Sequence, residues 1–427
     1  MPTERRRLVN IIGGSAGNLV EYFDWYVYSA FTLYFASSFF PKEDQTAQLL
    51  SGAAVFAVGF VMRPIGAWLM GIYADRHGRK AGLTVSMTMM CVGSLIIAVS
   101  PTYAQAGVIA PTLLVIARII QGLSLGGEYG ASATYLSEMA GTKRRGFWSS
   151  FQYVTIIAGQ LLALVLLVGL QALLGEAALE AWGWRIAFAL GGLLAVVAFV
   201  IRRRVAETDN FLKLEAKQEA RPRSSFSSLF RHHPREALLV IALTAGGTLA
   251  FYTYTTYMQK FLANSVGFER VTASRIMTVA LALFMVMQPL AGALSDRVGR
   301  KPLMIAFGAA GALLTWPIFT ALEQARDPLT AFVLVTASLV IVTGYTSINA
   351  VVKAELFPGH IRALGVALPY AIANAIFGGS AEYVALSLKS AGHERWFYVY
   401  VSMVILVSLV TYATMRETKI TSLIDRD

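Results

Sequence analysis

Apolar runs close to the roughly 20 residues that a helix needs to cross a bilayer recur along this chain from one end to the other. They fall near residues 15–39, 51–73, 82–100, 110–137, 149–173, 184–201, 237–262, 275–294, 303–322, 329–355, 363–388 and 396–415. Hydrocarbon offers backbone N–H and C=O groups no partners, so a spanning segment must bond internally as a helix or close into a barrel. Runs of this length without strand-like alternation predict helices. With 56% of its residues hydrophobic and 14% charged, the chain is too apolar for a soluble protein of 427 residues. The expected class is an all-α membrane protein with twelve transmembrane helices in two pseudo-symmetric bundles. The runs divide six and six around one long polar stretch that carries Arg202, Arg203, Arg204, Lys213, Lys217, Arg221, Arg223, Arg231 and Arg235. That stretch, residues 202–235, is predicted to be a cytoplasmic linker between an N-terminal six-helix bundle, 1–201, and a C-terminal one, 236–427.

The two halves repeat one another. Gly71 to Lys80 read GIYADRHGRK and Gly292 to Lys301 read GALSDRVGRK, each placing a short cationic turn between two apolar runs. Ser137-Glu138 followed by Arg144-Arg145-Gly146 is likewise echoed by Ala354-Glu355 followed by Arg362-Ala363-Leu364-Gly365. Short loops rich in Lys and Arg stay on the cytoplasmic side. The loops assigned outside, near 41–48, 101–110, 175–183 and 323–328, contain Lys42 and Arg326 as their only cations, so both termini are expected in the cytoplasm. A soluble protein of net charge +11 might bind nucleic acid. Here the cations cluster in loops between apolar runs, which marks them as topology signals and contacts to anionic lipid, and no nucleic-acid partner is expected. Arg5-Arg6-Arg7 ahead of an apolar run imitates a signal peptide, yet no small-residue cleavage site follows and the run carries Glu21 and Asp24, so it reads as an uncleaved first span. Cys91 is the one cysteine, which excludes an intrachain disulfide.

Charges inside lipid-spanning segments cost about 2.5 to 3.5 kcal/mol each on insertion scales, so they pair or line a cavity. The first run places Asn18, Glu21, Asp24 and Tyr28 on about one face, the second carries Arg63, and the fourth draws a polar stripe through Arg118, Gln121, Glu128 and Ser132. A buried arginine needs an acid or the substrate's own carboxylate as counter-ion, so Asp24 and an anionic substrate are expected to compete for Arg118. Asp24, with Glu21 and Glu128 behind it, is the proton-coupling candidate; the alternative is a permanent salt bridge that only orients helices. Arg63 is the second anion ligand, its planar fork matching a carboxylate, unless it serves to neutralise Glu21 or Glu128. Tyr22, Gln152, Tyr252, Tyr254, Gln288, Asn374 and Lys260 complete the candidate substrate site. Lys260 has the alternative of snorkelling outward, Tyr257 that of an interface anchor, and Glu382 shows no local partner. Asp75, Arg76 and Arg79 in one repeated loop, with Asp296, Arg297 and Arg300 in the other, are expected to form a charged gate around the turns at Gly78 and Gly299.

Enzyme motifs fail on context. Gly122-Leu123-Ser124-Leu125-Gly126 matches G-x-S-x-G, which requires a strand-to-helix elbow, whereas here it lies in an apolar run and reads with Gly130 as a helix-packing ridge. The five histidines lack metal-ligand spacing and no phosphate-binding loop is present. The expectation is a carrier with no reaction, no metal and no cofactor, driven by the proton gradient.

The two D-R-x-G-R-K loops, the twelve spans and the basic centre resemble the major facilitator superfamily. More narrowly, Gly17 to Asp24 (GNLVEYFD), Met62 to Gly66 (MRPIG) and Gln121 to Gly130 (QGLSLGGEYG) resemble the bacterial metabolite:proton symporter family. Phe251 to Lys260 (FYTYTTYMQK) and Ala371 to Lys389 (AIANAIFGGSAEYVALSLK) are most similar to the branch of that family that carries α-ketoglutarate. The likeness runs from about residue 8 to 415 and is weakest in the central loop and at the carboxyl end. It implies a monomer in the bacterial cytoplasmic (inner) membrane that imports α-ketoglutarate or a similar dicarboxylate with protons by alternating access, and it implies an acid of the first helix paired with an arginine of the fourth. The alternatives are proton symport of citrate, shikimate or an osmolyte, against which two buried arginines favour an anion, and a non-transporting nutrient sensor, which would need a signalling extension.

Overall fold

The computed structural model describes residues 4–41, 44–77, 79–203 and 226–424, with the backbone alone for stretches such as 4–17, 74–77, 79–83 and 198–203. The expected linker therefore lies largely outside the described residues, as do Gly78, Lys42 and the side chains of Asp75, Arg76 and Arg79. All regular structure among the described residues is helical. In the first half the crossing helices are α1 (Glu4–Phe39), α2 (Gln45–His77), α3 (Arg79–Val99), α4 (Ile109–Gly126, resuming as Glu128–Met139), α5 (Phe151–Ala178) and α6 (Trp184–Arg203). In the second they are α7 (Pro234–Tyr252, continued through a π turn at Thr253–Tyr257 and Met258–Phe261), α8 (Arg270–Val298), α9 (Arg300–Gln324) and α10 (Pro328–Thr346, then Asn349–Glu355). They end with α11 (Gly359–Ala373, a π turn at Asn374–Gly378, then Ala381–Ser390) and α12 (Glu394–Thr414). By length and composition nine described segments suit a bilayer crossing; one of them, Arg145–Val197, runs through both α5 and α6, while the apolar part of α3, Thr84–Val99, is shorter.

Burial separates a central layer from a lipid-facing one. The apolar window of α7 is 78% buried and that of α12 33%, so α7 lies in the middle and α12 at the rim. Large apolar side chains such as Leu173, Leu193, Leu238, Leu313 and Trp396 are exposed, which suits a hydrocarbon solvent. In the first half α1 packs on α5 and α6, and α4 on α2 and α3; in the second α7 packs on α11 and α12, and α10 on α8 and α9. The halves meet where α2 lies along α11 and α5 along α8.

The ridge of small residues on α4 sets the position of the site. A Cβ at Gly122 would press on the backbone of Gly59 and one at Gly126 on the backbone of Arg63, both on α2. Only glycine allows this approach, and it brings the Arg63 and Arg118 side chains to the same indole.

Candidate functional site

That indole belongs to Trp25 of α1. The guanidinium carbon of Arg118 lies 3.8 Å from its ring centroid and that of Arg63 4.1 Å, with Phe60 4.1 Å from Arg63, and Tyr28 and Phe56 4.5 and 5.0 Å from Arg118. Faces of desolvated aromatic rings hold a cation by about 2 kcal/mol, so this box keeps both arginines buried without a direct carboxylate bond. Arg118 is 0% exposed and Arg63 4%. The Nε and Nη2 of each are buried with no hydrogen-bond partner among the described residues.

Asp24, the residue before Trp25 on α1, does not bond to Arg118. Gln121 stands between them: Arg118 Nη1 donates to Gln121 Oε1 at 2.9 Å, and Gln121 Nε2 donates to Asp24 Oδ2 at 2.8 Å. Ser94 of α3 donates to the other carboxylate oxygen of Asp24. The i, i+3 spacing of Arg118 and Gln121 puts both on one face of α4, so acid and base are coupled through an amide with half of the guanidinium fork left open.

Of the remaining candidates, some face this centre and others do not. Tyr22 and Arg63, with Tyr129 and Tyr370, line a void of about 10 Å³, about the space of one water at most. Glu21 and Glu128 are buried on the same helices as Asp24 and Arg118. Tyr252 is buried edge-on to Phe60, with 5.0 Å between ring centroids. Gln152 accepts from Ser132 at 2.6 Å and Asn374 accepts from Thr248, and the amide nitrogen of each has no partner among the described residues. Tyr254 and Gln288 are committed within the second half, and Lys260 bonds both its own half and α1. Tyr254 shares a 2.5 Å hydrogen bond with Thr315 of α9, and Gln288 donates to the Phe284 carbonyl at 3.0 Å and accepts from Thr346 at 2.8 Å. Lys260 is 1% exposed rather than snorkelling, because it is bound to Glu382 at 2.7 Å and to Ser29 at 2.9 Å. Tyr257 is likewise buried, its hydroxyl donating to Glu394 at 3.4 Å. Sequence reasoning missed Lys353 of α10 and the stacked tyrosines Tyr129 and Tyr370, although a lysine inside the run 329–355 is the same kind of signal that singled out Arg63.

Residues 15–381 match the family model described as Major Facilitator Superfamily. The chain belongs to that superfamily. It is 55% identical to the alpha-ketoglutarate permease of Escherichia coli (strain K12) across 97% of this chain and 95% of that protein. It is 33% identical to a citrate-proton symporter of Salmonella typhi across 88% of this chain and 86% of that one. The solved proton:xylose symporter XylE bound to 6-bromo-6-deoxy-D-glucose superposes with a TM-score of 0.78 at 20% identity, covering 97% of each chain. A partially occluded inward-open form of XylE from E. coli gives 0.76 at 20% identity, covering 96% of this chain and 98% of that one. At that identity the two structures show the fold: the twelve-helix facilitator architecture.

In this facilitator the second of the repeated loops and the acids Glu138 and Glu355 meet at one end of the helices. Asp296 accepts from the backbone N–H groups of Gly146 at 2.8 Å and Phe147 at 2.9 Å, and from Arg300 at 2.9 Å. Arg300 and Arg145 lie 3.7 and 3.9 Å from Glu355, and Arg362 reaches across to Glu138 at 2.6 Å. The two acids of the second sequence repeat thus each hold an arginine of the opposite half. Gly299 takes φ 104°, a conformation open chiefly to glycine, which turns α8 into α9; Arg297 is exposed. Glu417 beyond α12 accepts from the backbone of Arg300 and Lys301, each at 2.9 Å, so the carboxyl-terminal segment braces this cluster. The halves also touch at the other end, through Arg270 to Glu180 at 3.0 Å and Gln171 to Ser274 at 3.3 Å.

Proposed function

We propose that this facilitator imports α-ketoglutarate, or a closely similar dicarboxylate, together with protons by alternating access, as a monomer in the bacterial cytoplasmic membrane. The observation that carries this reading is the pair of buried arginines with open N–H groups over Trp25, beside an acid that reaches Arg118 only through Gln121. The identity shared with the alpha-ketoglutarate permease supports the choice of anion. No reaction takes place at the site and no cofactor takes part; the proton gradient is the driving force.

Coupling follows from charge compensation. Empty, the carrier crosses with Asp24 ionised and linked through Gln121 to Arg118. A carboxylate arriving at Arg63 and Arg118 supplies its own negative charge, and Asp24 then takes a proton, which Ser94 and Gln121 are close enough to accommodate. Arg118 keeps a counter-charge in both the empty and the loaded form, Asp24 in one and the substrate carboxylate in the other, while a proton without the anion leaves it none and an anion without the proton leaves Asp24 ionised beside a second negative charge in low dielectric. Asp296, Arg300, Glu355, Arg362 and Glu138 close the basic end, which faces the cytoplasm with both termini and the 202–235 linker; lipid surrounds the outer faces. Asp75, Arg76 and Arg79 are assigned to the same gate from the repeat alone.

The test is uptake of labelled α-ketoglutarate into proteoliposomes under an imposed pH gradient. Accumulation that collapses with a protonophore and is competed by unlabelled α-ketoglutarate, and not by glycine betaine, is expected. Uptake indifferent to the gradient, or competed by the betaine alone, contradicts the proposal.

A further inference from the structure

Two lysines are fully buried among the described residues, and they are treated differently. Lys260 has its carboxylate, Glu382, at 2.7 Å. Lys353, 0% exposed on the second stretch of α10, has no described carboxylate within ion-pair distance. Its ammonium donates to neutral oxygens only, Asn349 Oδ1 at 2.7 Å and the Tyr129 hydroxyl at 3.1 Å, and rests 4.0 Å from the centroid of the Tyr370 ring. The geometry is that of a cation kept ready without its anion, held by a phenol, an amide and a ring face as Arg63 and Arg118 are held by Trp25.

Its position relative to the central void gives that anion a source. Tyr129 of α4 and Tyr370 of α11 stack with centroids 3.7 Å apart and planes 11° from parallel, and both line the void that Arg63 lines. Lys353 touches both rings yet does not line the void. The stack joins the two halves, and the Tyr129 hydroxyl ties them again by donating to Asn349 at 3.0 Å. When the halves separate at this level the rings part, and the space at Arg63 becomes continuous with the ammonium.

We infer that Lys353 is a second anion subsite, which takes one carboxylate of a dicarboxylate while the other stays on Arg63 and Arg118, with the Tyr129–Tyr370 stack as the partition between them. The inference rests on the dicarboxylate reading and deepens it, because it says what distinguishes two carboxylates from one.

The experiment is equilibrium binding of α-ketoglutarate and of 2-oxobutyrate, the same keto acid without its distal carboxylate, to the purified full chain. Wild type is expected to prefer α-ketoglutarate. In Lys353→Gln, which keeps a hydrogen-bonding group beside Tyr129 and Asn349, α-ketoglutarate affinity is expected to fall about tenfold or more, the scale of a lost buried charge pair, while 2-oxobutyrate changes less than about twofold. Lys353→Arg is expected to restore most of the preference, which keeps the test alive if the glutamine variant does not fold. Parallel weakening of both ligands, or an undiminished preference in Lys353→Gln, overturns the subsite. A wild type with no preference for α-ketoglutarate overturns the dicarboxylate reading instead, and the subsite with it.

Discussion

At the scale of single residues, the site is defined by cations that aromatic rings hold in place of acids. Trp25 receives both Arg63 and Arg118, and the open N–H groups of the two guanidiniums are the most direct mark of an anion site. Removing either guanidinium leaves a substrate carboxylate desolvated without its counter-ion, a loss of about 2 to 5 kcal/mol for a buried charged pair. Arg63→Ala and Arg118→Ala are therefore expected to lose α-ketoglutarate binding by isothermal titration. Arg300→Ala, which acts on Asp296 and Glu355 at the gate, is expected to bind within about threefold of wild type and to transport more slowly. Which residues are buried charges was legible in the sequence, because a charge inside an apolar run is visible as such. Their partners were not, because they come from other helices: Glu382 lies 122 positions from Lys260, and nothing in the spacing of Asp24 and Arg118 announces that Gln121 would stand between them. Lys353 was equally visible and passed over, two positions from a Glu355 that suggested a helix end instead of a site.

At the scale of elements, close helix approach does most to position these groups. The ridge through Gly122 and Gly126 was readable as a packing surface, and the structure seats it on the α2 backbone. Overpacking such a contact costs about 1 to 3 kcal/mol, and more when the obstruction is backbone. Gly122→Leu is expected to lower the unfolding temperature of the purified carrier by several degrees, with Gly169→Leu, where a Cβ meets nothing within 4 Å, as the near-neutral control; equal shifts in thermal unfolding would contradict the placement. The π turns at Thr253–Tyr257 and Asn374–Gly378 had no counterpart in the hydrophobic pattern, since one extra residue per turn leaves composition unchanged. Tyr252, packed on Phe60, and Tyr254, bonded to Thr315, lie two positions apart and so point to different sides of α7.

At the scale of the whole molecule, the described residues of the two halves touch at both ends, with a void of about 10 Å³ between them at Arg63. The repeated loops made the two-bundle plan legible, because duplication shows in sequence directly. The contacts between the halves were not legible, because they join residues far apart in the chain, as Arg362 joins Glu138. If the basic end is cytoplasmic, cysteines introduced at Ser224 and at Gln105 in a Cys91→Ser background should react with an impermeant reagent from opposite faces of the membrane; reaction of both from outside would reverse the topology. Asp24→Asn, a permanent imitation of the protonated acid, should lose gradient-driven accumulation while retaining exchange of labelled for unlabelled substrate. The most direct test of the account is proton uptake on binding, measured as α-ketoglutarate is titrated into the purified carrier in weakly buffered solution. Wild type should take up protons as the anion replaces Asp24 at Arg118, and Asp24→Asn should bind the anion with no proton uptake. Equal uptake by both proteins, or none by wild type, would contradict it.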